Sequence, residues 1–216
     1  MKRKFSAMLL IILFIPLNIV YSSDEKEQNI YCDTINHWCN YGANRLFNEN
    51  IFRGMQIGEK FYFMPEENIT RGEFLLYINA VLKIPEKEII SLPFNDSYSI
   101  PYWQLPTVCT MYDMGYIKGN KEKRGLFFNY DEKISRLECA IILNNILKLN
   151  NSFTSTKYYD NYLIPKYAVT AVKNVTDYGL MQGYADKSFR PYVKITRAML
   201  SDILCKLKDY TSVDKK

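Results

Sequence analysis

Histidine is almost absent from this chain: His37 is the single one among 216 residues. A Ser-His-Asp or Cys-His nucleophilic arrangement therefore has nothing to draw on beyond His37. No CxxC pair occurs, and the cysteines, Cys32, Cys39, Cys109, Cys139 and Cys205, are odd in number, so they spell out no complete disulfide framework. Cys32 and Cys39 flank His37, but without a fourth ligand a chance cluster explains them better than zinc, and no metal or cofactor is called for. Cys139 and Cys205 lie in apolar helical stretches and read as buried thiols. A dominant charge sign is missing too. With 28 basic against 23 acidic residues the formal charge is only +5, which argues against nucleic acid as partner.

No apolar run beyond residue 23 is long enough to cross a bilayer. The run before it, from Ala7 to Val20, follows Lys2, Arg3 and Lys4 and ends at Ser22 and Ser23, the build of a secretory signal peptide over residues 1–23. Pro16 and Asn18 interrupt it, and it falls short of the roughly 20 residues of a spanning helix. Removal of Lys2, Arg3 and Lys4 lowers the charge to +2. The expectation is an exported chain with no membrane span after cleavage.

What the chain does have is a repeat. Arg71, Arg136 and Arg197 stand 65 and 61 residues apart, each behind isoleucine and a hydroxyl residue, and each eight residues after Phe63, Phe128 or Phe189. Upstream, Trp38, Trp103 and Tyr167 are each followed sixteen residues later by Gly54, Gly119 or Gly183, and preceded by Asp33, Asp96 or Asp160. Repetition at such a period places the copies at residues 31–84, 93–149 and 158–208, joined by polar links.

Each copy reads as helix, glycine-bearing loop, helix. Ala43 and Leu46, Val108 and Met111, and Val172 and Val175 occupy one helical face in the first helix. Asn50, Gly115 or Gly179 suits the left-handed residue that ends it. In the second helix, Thr70-x-x-Glu73 and Ser135-x-x-Glu138 match the capping box; the third copy keeps Thr196 but has Met199 in place of the glutamate. A helix pair with one apolar stripe cannot bury itself, so three copies pack into one mainly α-helical domain. Trp38 and Trp103, at helix starts, read as core residues rather than sugar platforms.

The repeated arginine is not explained by helix capping. A cation in the first turn faces the positive end of the helix dipole, at a cost of about 0.3–1 kcal/mol when exposed. Two partners could offset that cost. One is the aspartate of its own or a neighbouring copy; the other is an external carboxylate or phosphate received by the guanidinium beside free helix-start amides.

The succession of Asp, aromatic, GYADKSFRP and ITRAM, residues 183–191 and 195–199 in the third copy, resembles the S-layer homology module, and the likeness runs from about Tyr31 to Lys208. The resemblance implies three tandem modules arranged as a pseudo-threefold, three-pronged spindle around a central helical bundle. It also implies non-covalent attachment to anionic, commonly pyruvylated, cell-wall polysaccharide at a bacterial surface. The glycan-binding residues it points to are Arg71, Arg136 and Arg197 in grooves between modules, Gly54, Gly119 and Gly183 where the sugar nears the backbone, and the motif aspartates Asp33, Asp96 and Asp160. Residues 55–62 and 120–127 depart from the family loop, and Met199 from its glutamate, so the third helix start is expected to be less rigid. The copies fill almost the whole sequence, which keeps a second reading open: an envelope assembly protein that binds a protein partner. An enzyme is disfavoured, since Glu73 and Glu138 are explained as caps and no other carboxylate pair stands out.

Overall fold

The computed structural model describes residues 29–88, 91–150 and 156–213. Among them the chain runs through α1 (Asn40–Asn48), β1 (Met55–Ile57), β2 (Lys60–Tyr62), α2 (Arg71–Leu82), α3 (Leu105–Asp113), β3 (Asn120–Glu122), β4 (Gly125–Phe127), α4 (Arg136–Leu147), α5 (Val169–Asp177) and α6 (Arg197–Val213). The fold is mainly helical, and along the chain the helices follow one another as three pairs, called units below: α1 and α2, α3 and α4, α5 and α6. The signal peptide expected over residues 1–23 lies outside the described residues. No described helix is long and apolar enough to cross a membrane.

The first helices form where the apolar periodicity puts them. Ala43, Leu46, Val108, Met111, Val172 and Val175 are all fully buried. Each helix is left through a left-handed residue, Asn50 at φ 56°, Gly115 at 73° and Gly179 at 71°. The second helices start as the capping pattern predicts. Thr70 and Ser135 accept from the amides of Glu73 and Glu138, and both glutamates reach back to the cap amide. On α6 Thr196 accepts from Met199 at 3.3 Å, and the thioether offers no return bond.

Residues 55–62 and 120–127 are not irregular loops. They are antiparallel hairpins, β1 paired with β2 through Met55 and Tyr62, and β3 with β4 through Asn120 and Phe127. Strands of three residues are too short to show a readable alternation, while Gly58 at φ 62° lies in the first turn and Gly125 at φ 136° opens β4 directly after the second, at Lys123 and Arg124. The third unit crosses the same gap with a tight turn, in which the amides of Tyr184 and Lys187 donate to the carbonyls of Ser188 and Tyr184.

The units close into a ring, and its seams carry equivalent bonds. The first two amides of α2, from Arg71 and Gly72, donate to the carbonyls of Glu132 and Tyr130 in the second unit. Those of α4, from Arg136 and Leu137, donate to Val193 and Pro191 in the third. Those of α6, from Arg197 and Ala198, donate to Glu67 and Pro65 in the first. Isolated bridges Thr70 to Lys133, Ser135 to Lys194 and Asn68 to Thr196 run alongside. Helix packing follows the same cycle, with α3 on α2, α5 on α4 and α1 on α6, while α2 also packs on α6. Phe63, Phe128 and Phe189 are fully buried under the seams, each worth about 1.5–3 kcal/mol of apolar burial.

Candidate functional site

The arginines sit on these seams, and the structure assigns them partners that the sequence did not suggest. Arg136 donates from Nε to the carbonyl of Phe189 at 2.8 Å and from Nη2 to that of Gln182 at 2.6 Å. Arg197 does the same with Phe63 at 2.6 Å and Arg53 at 3.1 Å. Both guanidiniums lie over aromatic faces, Arg136 at 4.6 Å from Phe189 and Arg197 at 4.5 Å from Phe52. Main-chain carbonyls and rings therefore offset the dipole cost. None of these arginines pairs with the aspartates.

Arg71 differs. Its Nη1 pairs with the Glu138 carboxylate at 3.0 Å, and its buried Nε has no partner, although the equivalent atoms of Arg136 and Arg197 each hold a phenylalanine carbonyl. A buried unmet donor costs about 1–3 kcal/mol, which the ion pair opposes. Burial draws both the Arg71 and Arg136 guanidiniums below the ordinary arginine value, against the pull of Glu138 on Arg71. Both remain cations at neutral pH.

The aspartates form a second repeated device. Asp33 accepts from the amides of Phe63 and Met64, Asp96 from Phe128 and Asn129, and Asp160 from Phe189 and Arg190, at 2.8 and 2.7 Å in every copy. The second residue of each pair is left-handed, Met64 at φ 57°, Asn129 at 60° and Arg190 at 55°. Two successive amides turned inward in this way make an anion-binding nest, and the aspartate fills it from within the chain.

The glycines are packed from inside as well. A Cβ on Gly54 would stand 2.1 Å from the Tyr62 carbonyl oxygen and 2.5 Å from Tyr31; on Gly183 it would meet the Tyr158 ring at 2.3 Å; on Gly119 the Phe94 ring at 2.6 Å. Helix-start amides, read as free from the sequence, are all engaged. The first two go to the neighbouring unit and the third to the cap side chain.

Arginine and glycine nevertheless meet across each seam. Gln182 and Arg53, whose carbonyls hold Arg136 and Arg197, immediately precede Gly183 and Gly54. Arg71, Gly119, Glu138 and Tyr167 line one cleft of about 580 Å³. Arg136, Gly183, Met199 and Trp38 line another of about 330 Å³. Each of these clefts draws on all three units.

The core reading of Trp38 and Trp103 is overturned, since they are 62% and 63% exposed, and Tyr167 is 78% exposed. The buried stripe of α1 runs through Cys39, Ala43 and Leu46, spaced four and three apart, so Trp38 lies off that face. Trp103 and Tyr167 lie in short 3-10 turns before α3 and α5 and face outward beside buried Gln104 and Ala168. For Trp38 the signal was present in the sequence; the carbonyl partners of the arginines had none, because main-chain acceptors carry no residue type.

The five cysteines form no disulfide. His37 contacts the Cys39 thiol at 3.0 Å and Glu66 at 3.0 Å. Among the described residues no group of three His, Cys, Asp or Glu is arranged to hold a metal.

Comparison with known proteins fits the third unit best. A stretch of 79 residues, 36% of this chain, is 32% identical to Cell surface glycoprotein 1 of Acetivibrio thermocellus, of which it spans 3%. Residues 158–198 match the S-layer homology domain family. Residues 158–198 are thus similar to S-layer homology domains, a class of binding and anchoring domain that attaches to cell-wall polymers, and both likenesses point to the cell surface.

Proposed function

We propose that all three units are S-layer homology modules, the first two divergent, and that together they bind anionic, pyruvylated cell-wall polysaccharide and hold the chain at the bacterial surface. One observation carries this reading: an arginine, a glycine loop and an outward aromatic, contributed by three different units, converge in each of the two clefts centred on Arg71 and Arg136. Arg71, Arg136 and Arg197 supply the positive charge. Lys118 and Lys121 add to it beside Arg71. Gly54, Gly119 and Gly183 shape the loop edges, and Tyr167 and Trp38 offer faces to the sugar. Asp33, Asp96 and Asp160 act by holding the loops, since each carboxylate is already taken up by two amides.

A second reading is favoured by one fact: every motif arginine already has an internal partner. In it the arginines only lock the ring, and the exposed surface takes an envelope protein. Sedimentation with isolated wall sacculi separates the two. The chain from residue 24 onward is expected to sediment. The exposed pair Trp38→Ala with Tyr167→Ala should keep its helical circular dichroism and sediment several-fold less. Wild-type protein that stays in solution, or that sediments equally with sacculi stripped of pyruvate, overturns the carboxylate-glycan reading.

A further inference from the structure

The third unit has a second hollow, outside the Arg136 cleft. It lies between the turn at Asp160 and the turn at Pro191, measures about 510 Å³, and is rimmed by Tyr159, Tyr162 and Tyr192. Their exposures are 64%, 80% and 59%, so three large rings are held at the surface around one concavity. Tyr192 is oriented by donation from its hydroxyl to the Leu163 carbonyl at 3.0 Å. A volume within the range of about 300–1,000 Å³ typical of ligand pockets is large enough to hold a sugar.

Its charges are all committed. Asp160 is spent on the amides of Phe189 and Arg190. Asp186 accepts from the Ser188 amide at 2.9 Å and hydroxyl at 2.5 Å, and pairs with Arg190 at 2.8 Å. These bonds hold the Asp186 carboxyl below its usual range, so the pair stays ionised and self-neutralised. Such a hollow selects neither an anion nor a metal cation. Tyrosine faces with hydroxyl edges suit a neutral ring that has an apolar face and a polar rim, which is the surface of a pyranose.

The hollow neighbours the Arg136 cleft, with the Tyr184 ring between them. The Arg190 guanidinium stacks on the Tyr184 ring at 4.0 Å, and the same ring lies 5.1 Å from the Arg136 guanidinium and lines its cleft. Counted from the aspartate and the phenylalanine of each copy, the positions of Tyr159, Tyr162 and Tyr192 are held by Cys32, Ile35 and Glu66 in the first unit and by Asn95, Tyr98 and Asp131 in the second. Only the third unit assembles three rings.

We infer that this hollow is a second saccharide subsite, taking a neutral sugar of the same polymer whose acidic sugar sits in the Arg136 cleft. The inference rests on the glycan reading above.

The test is titration calorimetry on the chain from residue 24 onward with two probes, isolated wall polysaccharide and the shortest acidic oligosaccharide released from it by partial hydrolysis. The variant is Tyr159→Ala with Tyr162→Ala, which removes two exposed rings. The variant is expected to bind the polymer about tenfold more weakly, the loss of two ring contacts, and the short fragment as wild type does. Equal binding of the polymer by both proteins overturns the subsite and leaves the glycan reading standing. Equal loss on polymer and fragment overturns it too, because the tyrosines would then belong to the Arg136 cleft. A wild type that binds neither probe overturns both.

Discussion

Asp160 is 4% exposed and accepts two main-chain bonds from residues 29 and 30 positions further on. Asn in its place would set an amide donor against one of those amides. Asp160→Asn is expected to cost about 2–3 kcal/mol, since bonds to a charged acceptor are the strong ones, and to lower the melting temperature by roughly 4–12 °C in a scanning calorimeter. The buried thiols contribute to the alkaline limit, beside Tyr31, Tyr77 and Tyr130, which burial also raises. Burial pushes Cys39 and Cys205 up to about 11 and Cys139 well above its ordinary value. An acid whose pKa is raised by folding contributes stability in full below its unfolded value near 9 and loses it as pH rises through the folded value. Denaturant midpoints should therefore fall between about pH 9 and 11, and Ellman's reagent should titrate exposed Cys32 in the folded protein and the other four only on unfolding. The buried thiols of Cys139 and Cys205 were legible from their apolar neighbours, whereas the aspartate nest was not. Its acceptor is visible in the sequence, but its donors are amides some thirty residues away.

At the level of helices, the two complete capping boxes and the partial one make a graded series. Thr70→Ala and Ser135→Ala remove a cap whose glutamate still needs it, and should each cost about 1–2 kcal/mol; Thr196→Ala, with one bond to lose, should cost about 0.5–1 kcal/mol. Urea titrations of the three single variants give the order directly, and equal losses would mean that the glutamates add nothing. Helix starts, stops and buried faces could be read because capping chemistry and the 3.6-residue period are local. The hairpins could not, because Met55–Ile57 and Asn120–Glu122 are three residues each and gain their order from the partner strand. The outward turn of Trp38 was readable once the stripe of Cys39, Ala43 and Leu46 was followed; helix position alone misled.

At the level of the whole molecule, the seam bonds make the units mutually dependent. The third unit leaves the first amides of α6 without acceptors once the first unit is gone, because Glu67 and Pro65 supply them. Residues 156–213 alone are expected to show little helical circular dichroism, while the full set of units should melt in one transition with coincident far- and near-ultraviolet signals. That the fold is mainly helical was readable from the capping and apolar patterns; that the chain closes was not, since closure depends on main-chain bonds between its first and last helix pairs. This closure also makes chain order a matter of indifference. The seam between the third and first units has the same bonds as the two that a peptide link crosses, and α1 packs directly on α6. Neighbours at the seams thus recognise each other through main-chain bonds that do not depend on which units a peptide link joins. A circularly permuted chain, joined from residue 213 to residue 29 by a flexible Gly/Ser segment and opened within 84–93, should reach the same native fold.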